Sequence, residues 1–288
     1  MQINWEKILY TFARPFLQLG KWYLVIDGSP LEQPFSRFRI AKHGHVSIKD
    51  MKHVPQNQII SLILTNGTIQ LVLDYKIWVS PKVAKPRDYK KITVLALELL
   101  KRYQFLKLPV RDILFDNYFA CKKILDWLNE NQYLWTTRLK GNRTVYINGN
   151  SYKLDELNLK TGEHILAELK GVPGNVRILR LLYQDEVVYV ATNHVTLDKD
   201  QLEKTYRTRW GIEQYHREAK QQLGLEYLWM RNYRALYNHV GFVCLAYSIL
   251  SCLRRSSKTT IGDIKRKIQD ELYSTHDGID RFIHFNVA

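Results

Sequence analysis

The chain has 288 residues, with 43 lysines and arginines against 28 aspartates and glutamates, a formal charge of +15 and an isoelectric point near 9.6. That excess is larger than solubility needs and points to a polyanionic partner, while the 45% hydrophobic content excludes a disordered chain and allows one large core. No signal peptide, lipidation motif or basic amphipathic terminus is visible, so membrane attachment is not expected, and Cys121, Cys244 and Cys252 have the spacing of reduced thiols in a cytoplasmic protein.

Residues 1–21 read as an N-terminal helical segment. The apolar run from Trp22 to Ile26, closed by Asp27-Gly28-Ser29, predicts a buried strand that ends at a turn. His43, His45 and His53 follow, but without a fourth ligand they read as ordinary polar histidines rather than a zinc site. Asn57–Thr65 and Thr68–Asp74 flank Asn66-Gly67, the signature of a hairpin. Asp74 follows an apolar run and ranks third among the candidate aspartates, behind Asp27 and Asp116. After the linker Pro81–Pro86, Tyr89–Tyr103 has helical apolar spacing. Val110–Phe115 predicts a second strand, with Asp112 before its apolar residues and Asp116 just after them. A helix over Phe119–Asn131 and a strand over Tyr133–Leu139, then Lys140, complete a unit spanning 22–140.

From 141 to 193 the texture changes. Turn signals at Gly141-Asn142, Asn148-Gly149-Asn150, Thr161-Gly162 and Pro173-Gly174 separate short strand-like runs, which predicts a β-rich insertion. Basic and tyrosine side chains are scattered through it, and packing within a small sheet accounts for most of the tyrosines. Residues 194–253 return to helical patterns. The apolar run Val240–Leu253 is too short to span a bilayer and reads as a core helix. A basic, helical tail, 254–288, closes the chain.

The segment Tyr206–Lys220 carries the most chemistry. On a helix advancing about 100° per residue, Tyr206, Arg209, Glu213 and Lys220 fall at roughly 0°, 300°, 340° and 320°, inside one arc. Ile212, Tyr215, Ala219 and Leu223 gather on the other side, as a buried stripe would. One carboxylate among cations suits a site that handles a divalent metal and phosphate. Ion pairing on a solvated face, Arg209–Glu213 and Glu213–Arg217, is the competing use of the same residues.

The spacing Y-x2-R-x3-E-x6-K resembles the Tyr-Arg-Glu-Lys motif of bacterial insertion-sequence transposases with a DDE catalytic triad, and all four positions match. The resemblance covers about Trp22 to Leu250. It implies a ribonuclease-H-like α/β core carrying a β-rich insertion between the second Asp and the Glu. It also implies that Asp27, Asp116 and Glu213 are catalytic metal ligands, and that Tyr206, Arg209 and Lys220 contact DNA phosphates. The Gly28-Ser29 pair departs mildly from the family's Asp-small-Thr, keeping the hydroxyl.

Hard oxygen ligands suit Mg2+ or Mn2+, and two ions are implied. The implied substrates are double-stranded transposon ends and target DNA, with the protein acting as a homodimer or higher assembly in the bacterial cytoplasm, at the nucleoid. Relatives carry a DNA-binding region before the first Asp. Here 26 residues precede it, so either end recognition lies elsewhere or the chain is an inactive remnant that only binds DNA. A metal-dependent nuclease of the same fold is the other alternative, since it would keep the same three carboxylates.

Overall fold

The computed structural model describes residues 3–32, 43–46, 53–80, 89–104, 108–183, 185–227, 230, 232–254 and 259–274. The elements of the first half are α1 (Trp5–Ala13), β1 (Trp22–Glu32), β2 (His43–Val46), β3 (His53–Thr65), β4 (Gln70–Trp78), α2 (Ile92–Gln104), β5 (Val110–Phe115), α3 (Lys122–Glu130) and β6 (Trp135–Leu139). They are followed by β7 (Thr144–Ile147), β8 (Asn150–Lys153), β9 (His164–Leu169), β10 (Asn175–Tyr183) and β11 (Glu186–Thr192). Four helices end the described chain: α4 (Lys199–Thr208), α5 (Trp210–Gln222), α6 (Tyr233–Cys252) and α7 (Ile261–Ser274).

The centre of the sheet runs β4-β3-β1-β5-β6. The β4/β3 and β3/β1 pairs are antiparallel, and β1/β5 and β5/β6 are parallel. An antiparallel meander continued by two parallel strands with helical crossovers is the ribonuclease-H-like arrangement. The predicted α/β class and core are therefore present.

Both faces of these strands are covered, so their residues alternate between two cores rather than between core and water. Trp22, Leu24 and Ile26 of β1, with Ile113 and Phe115 of β5, pack in one cluster with residues of α2 and α3. Val25 and Leu31 of β1, with Leu114 of β5, pack in the other, beneath α1, α5 and α6. Each such buried aliphatic side chain stabilises the fold by roughly 1.5–3 kcal/mol.

Several predicted elements stand where the sequence placed them. The Asn66-Gly67 turn joins β3 to β4, with Gly67 at φ +96° and the Asn66 carboxamide accepting from the Thr68 and Ile69 amides. Helix α6, the predicted core helix, starts earlier than expected and lies along β4. There the Ser251 and Ser248 hydroxyls accept from the Gln70 and Val72 amides, at 2.8 and 2.9 Å. These bonds satisfy amide groups on β4, which has β3 as its strand neighbour. The three cysteines are free thiols.

The β-rich insertion falls between Asp116 and Glu213, and strands β7–β11 lie within 144–192. It extends the core sheet instead of standing apart: β11 pairs antiparallel with β6, and β10, β9, β7 and β8 continue outward. Strand β1 also differs from expectation. It does not end at Asp27 but runs on to Glu32, because β3 continues beside it, pairing Asp27 with Ser61 and Glu32 with Gln56.

Candidate active site

Strand register builds half of the site. Ile26 pairs with Phe115, and Phe115 pairs with Thr137. Asp27, Asp116 and Arg138 are the next residues on three neighbouring strands, so they form one row across the sheet. Alternation turns all three toward the face covered by α4 and α5. Parallel pairing of β1 with β5 stops at this row, at the carboxyl end of β5, the side on which open α/β sheets bind ligands.

The two aspartates are anchored locally. Asp27 Oδ1 accepts from the Gly28 amide at 2.8 Å, and Asp116 Oδ1 accepts from the Tyr118 amide at 2.8 Å. Position 28 has little room for a side chain, since a Cβ there would lie 2.9 Å from Gln58 Nε2.

The other half comes from helices, and here the single predicted helix over 206–220 is corrected. Helix α4 ends at Thr208, and α5 begins at Trp210. The junction is a tightened turn in which the Arg209 amide bonds to the Tyr206 carbonyl and the Ile212 amide to the Arg209 carbonyl, at 3.0 and 3.1 Å. The predicted stripe holds within α5, where Ile212, Tyr215 and Ala219 are buried against β1, β3 and β4 and Leu223 packs beside them.

Arg209 links the two halves. Its Nη2 lies 2.5 Å from Glu213 Oε1, and its Nη1 lies 3.9 Å from Asp27 Oδ2. Asp27, Asp116, Glu213, Arg209 and Arg138 border one open cavity of about 430 Å³, with Ser29 and His216. Desolvation pushes the Asp27 carboxyl up to about 7; the Asp116 charge adds to the rise, while Arg209 and the Gly28 amide oppose it. His216 is buried and held neutral, its pKa pulled down to about 3 by desolvation and by Lys220. Its Nε2 lies 3.4 Å from Ser61 Oγ.

Among the described residues, no three His, Cys, Asp or Glu side chains stand close enough together to hold a metal ion as they are. The donor set nevertheless fits a hard divalent ion. The Asp116 carboxylate disfavours charge on Asp27, and the Glu213 carboxylate faces the same cavity.

The remaining expected residues lie apart from this cavity. Tyr206 is 6% exposed and packs with Leu179, Val188, Val190, Leu197 and Leu202. Its ring lies 5.4 Å from the Arg209 guanidinium carbon and borders a neighbouring cleft of about 750 Å³. Lys220 Nζ donates to the Pro30 carbonyl at 2.6 Å and pairs with Glu226 at 2.9 Å. Asp74 is fully buried, paired with Arg102 at 2.6 Å, and belongs to α2's attachment rather than to the site. Asp112 is buried 3.5 Å from His194 Nδ1. The side chains of His43, His45 and His53 lie outside the described residues.

Two residues were missed. Arg138 follows the same pattern as Asp116, a polar residue at the end of a strand, and Lys140 drew attention in its place. Glu218 gave no signal, because on a helix of mixed charge it reads as exposed, yet it is 6% exposed.

The ribonuclease-H-like sheet carries Asp27 and Asp116 in one row, and a later helix brings Glu213 to the same cavity. The chain belongs to the transposase DDE domain family, whose model matches residues 19–249. No curated protein is similar enough in sequence to count as a relative. Among solved structures, the NurA nuclease from Sulfolobus solfataricus aligns at 11% identity over 70% of this chain and 82% of its own, with a TM-score of 0.35. An endonuclease V from Bacillus subtilis aligns at 11% identity over 68% and 77%, with a TM-score of 0.31. Both likenesses are loose, and the fold is defined by the strand order β4-β3-β1-β5-β6.

Proposed function

We propose that the chain is a DNA transposase that cuts transposon ends and joins them to target DNA. Asp27, Asp116 and Glu213 would be the ligands of divalent metal, Mg2+ or Mn2+, in two-ion chemistry. The observation that carries the reading is the meeting of three carboxylates, far apart in sequence, at one cavity beside Arg209 and Arg138. When bound, such ions activate a hydroxyl and offset charge on the leaving oxygen.

The chain's own residues hold the DNA strand. Arg209 and Arg138 neutralise and position the phosphate, and Tyr206 supports the Arg209 guanidinium with its ring face and reaches the strand through the neighbouring cleft. Lys220 takes a phosphate by exchanging its Glu226 partner. Water adds to phosphorus and the bond to the 3′ oxygen breaks, leaving a 3′-hydroxyl. That hydroxyl attacks a target phosphodiester, displacing its own 3′ oxygen.

Asp116→Asn tests the reading because it removes a negative donor and keeps the shape. Cleavage of a DNA duplex carrying the element's ends should fall about a thousandfold or more in Mg2+, with DNA affinity retained. Equal cleavage by this variant would remove Asp116 from the ligand set. Cleavage without any joined product, in the wild type, would favour a nuclease of this fold.

A further inference from the structure

A buried polar network stands behind the site. Glu218 lies on α5, just over one turn past Glu213, and its carboxylate is met from three sides. Arg254 Nη2 bonds to Oε2, the Tyr247 hydroxyl lies 3.2 Å from Oε2, and the Ile261 amide donates to Oε1 at 3.2 Å. The Tyr247 hydroxyl also donates to Gln70 Oε1.

Gln70 is 2% exposed and held at both ends. Its backbone amide donates to Ser251 Oγ on α6, and its carboxamide is gripped by Tyr247. The other end of that carboxamide, Nε2, points at the first turn of α5. It lies 3.4 Å from Gln214 Oε1 and would be 3.0 Å from a Cβ added to Gly211. Gly211, Glu213 and Gln214 share this turn, which brings a carboxylate to the cavity from a helix rather than from the strand row.

We propose that Gln70, clamped by Tyr247 and through it by the Glu218–Arg254 pair, is a positioning residue that sets the first turn of α5 and thereby places Glu213 and Arg209 at the carboxylate row. The proposal deepens the catalytic reading and rests on it for its consequence for cleavage, but the mechanical claim stands on packing alone. A buried ion pair is a costly way to fill space; one that grips a hydrogen-bonded strut fixes a unique geometry.

The first test is peptide-resolved hydrogen exchange on the full chain. In Gln70→Ala, residues 209–216 should exchange at least about tenfold faster, while residues 110–115 of β5 keep their protection. Unchanged exchange in 209–216 overturns the proposal, whether or not the chain cuts DNA.

A double-mutant cycle supplies the second. Gly211→Ala adds a methyl against a pinned carboxamide, so it should loosen the same segment despite the better helix propensity of alanine. In the Gln70→Ala background that methyl has room, and Gly211→Ala should restore protection. Additive effects overturn the proposal. Where wild type cleaves DNA in Mg2+, Gln70→Ala should lower the saturated cleavage rate at least fivefold with an unchanged DNA dissociation constant, and the double variant should recover part of it. An unchanged rate likewise overturns the placement of Glu213. Absence of wild-type cleavage would instead count against the proposed function, and the exchange cycle would still decide the strut.

Discussion

The strand row and the α4–α5 junction supply the same cavity by different means. Asp27, Asp116 and Arg138 are aligned by backbone pairing, so their relative positions follow from register and survive changes in most side chains. Glu213 stands on α5 and Arg209 at the α4–α5 junction, outside the strand ladders. Their placement depends on an apolar stripe, on Gln70 and on a buried ion pair. A register shift would cost a whole ladder of hydrogen bonds, whereas a helix can slide or rotate by small steps against its packing. The row should therefore be the rigid half of the site and the helix the adjustable one.

The largest effect expected on the helical side comes from the ion pair. Arg254→Met leaves the Glu218 charge buried and unpaired, and should cost about 3–5 kcal/mol of stability in urea unfolding. Replacing both partners with apolar residues of similar size should recover most of that loss. If the single variant costs less than about 1 kcal/mol, the pair is not what holds α5 in place.

Arg209→Ala separates chemistry from binding at the point where the two halves meet. It should reduce end cleavage roughly 10–100-fold while total DNA affinity changes little, because the contact lies at the reacting strand and one phosphate contact is a small part of nonspecific binding. Losses of cleavage and affinity in equal proportion would reduce this face to an ordinary basic patch.

A separate effect is a pH slope that belongs to the row. The folded-state pKa of Asp27 is raised from 3.8 to about 7, so the folded chain holds that proton more tightly than the unfolded one. Its contribution to stability is full below about pH 4 and is lost as pH rises toward 7. Asp74, raised to about 6 chiefly by desolvation, adds a decline of the same sign. In metal-free buffer the wild type should therefore lose stability between pH 4 and 7 more steeply than Asp27→Asn, whose amide does not titrate. Identical slopes would mean that the Asp27 carboxyl is solvated as in water.

Much of this was legible without coordinates. Local signals placed the hairpin at Asn66-Gly67, the strand before Asp116, the core helix and the buried stripe of α5, because turn chemistry and hydrophobic period act over a few residues. The spacing of Tyr206, Arg209, Glu213 and Lys220 resembled the family to which the chain belongs, and Asp27 and Asp116 stood out as candidates because they are polar residues closing apolar runs. A periodicity estimate could not see the break at Arg209, since one tightened turn leaves the pattern of residue types unchanged.

The sequence by itself determined the Asn66-Gly67 hairpin, the strand before Asp116, the core helix and which carboxylates were candidates. Only the tertiary structure decided that β1 continues past Asp27, that Arg138 stands in line with the aspartates, that Lys220 rests on Pro30 and Glu226, and that Glu218 is buried. Each of these depends on a partner far away in the chain: β3 beside β1, β6 beside β5, the loop after α5, and Arg254 after α6. Residue type and local period encode what a segment prefers, but the partner that satisfies a distant amide or a buried charge is fixed only when the whole chain packs.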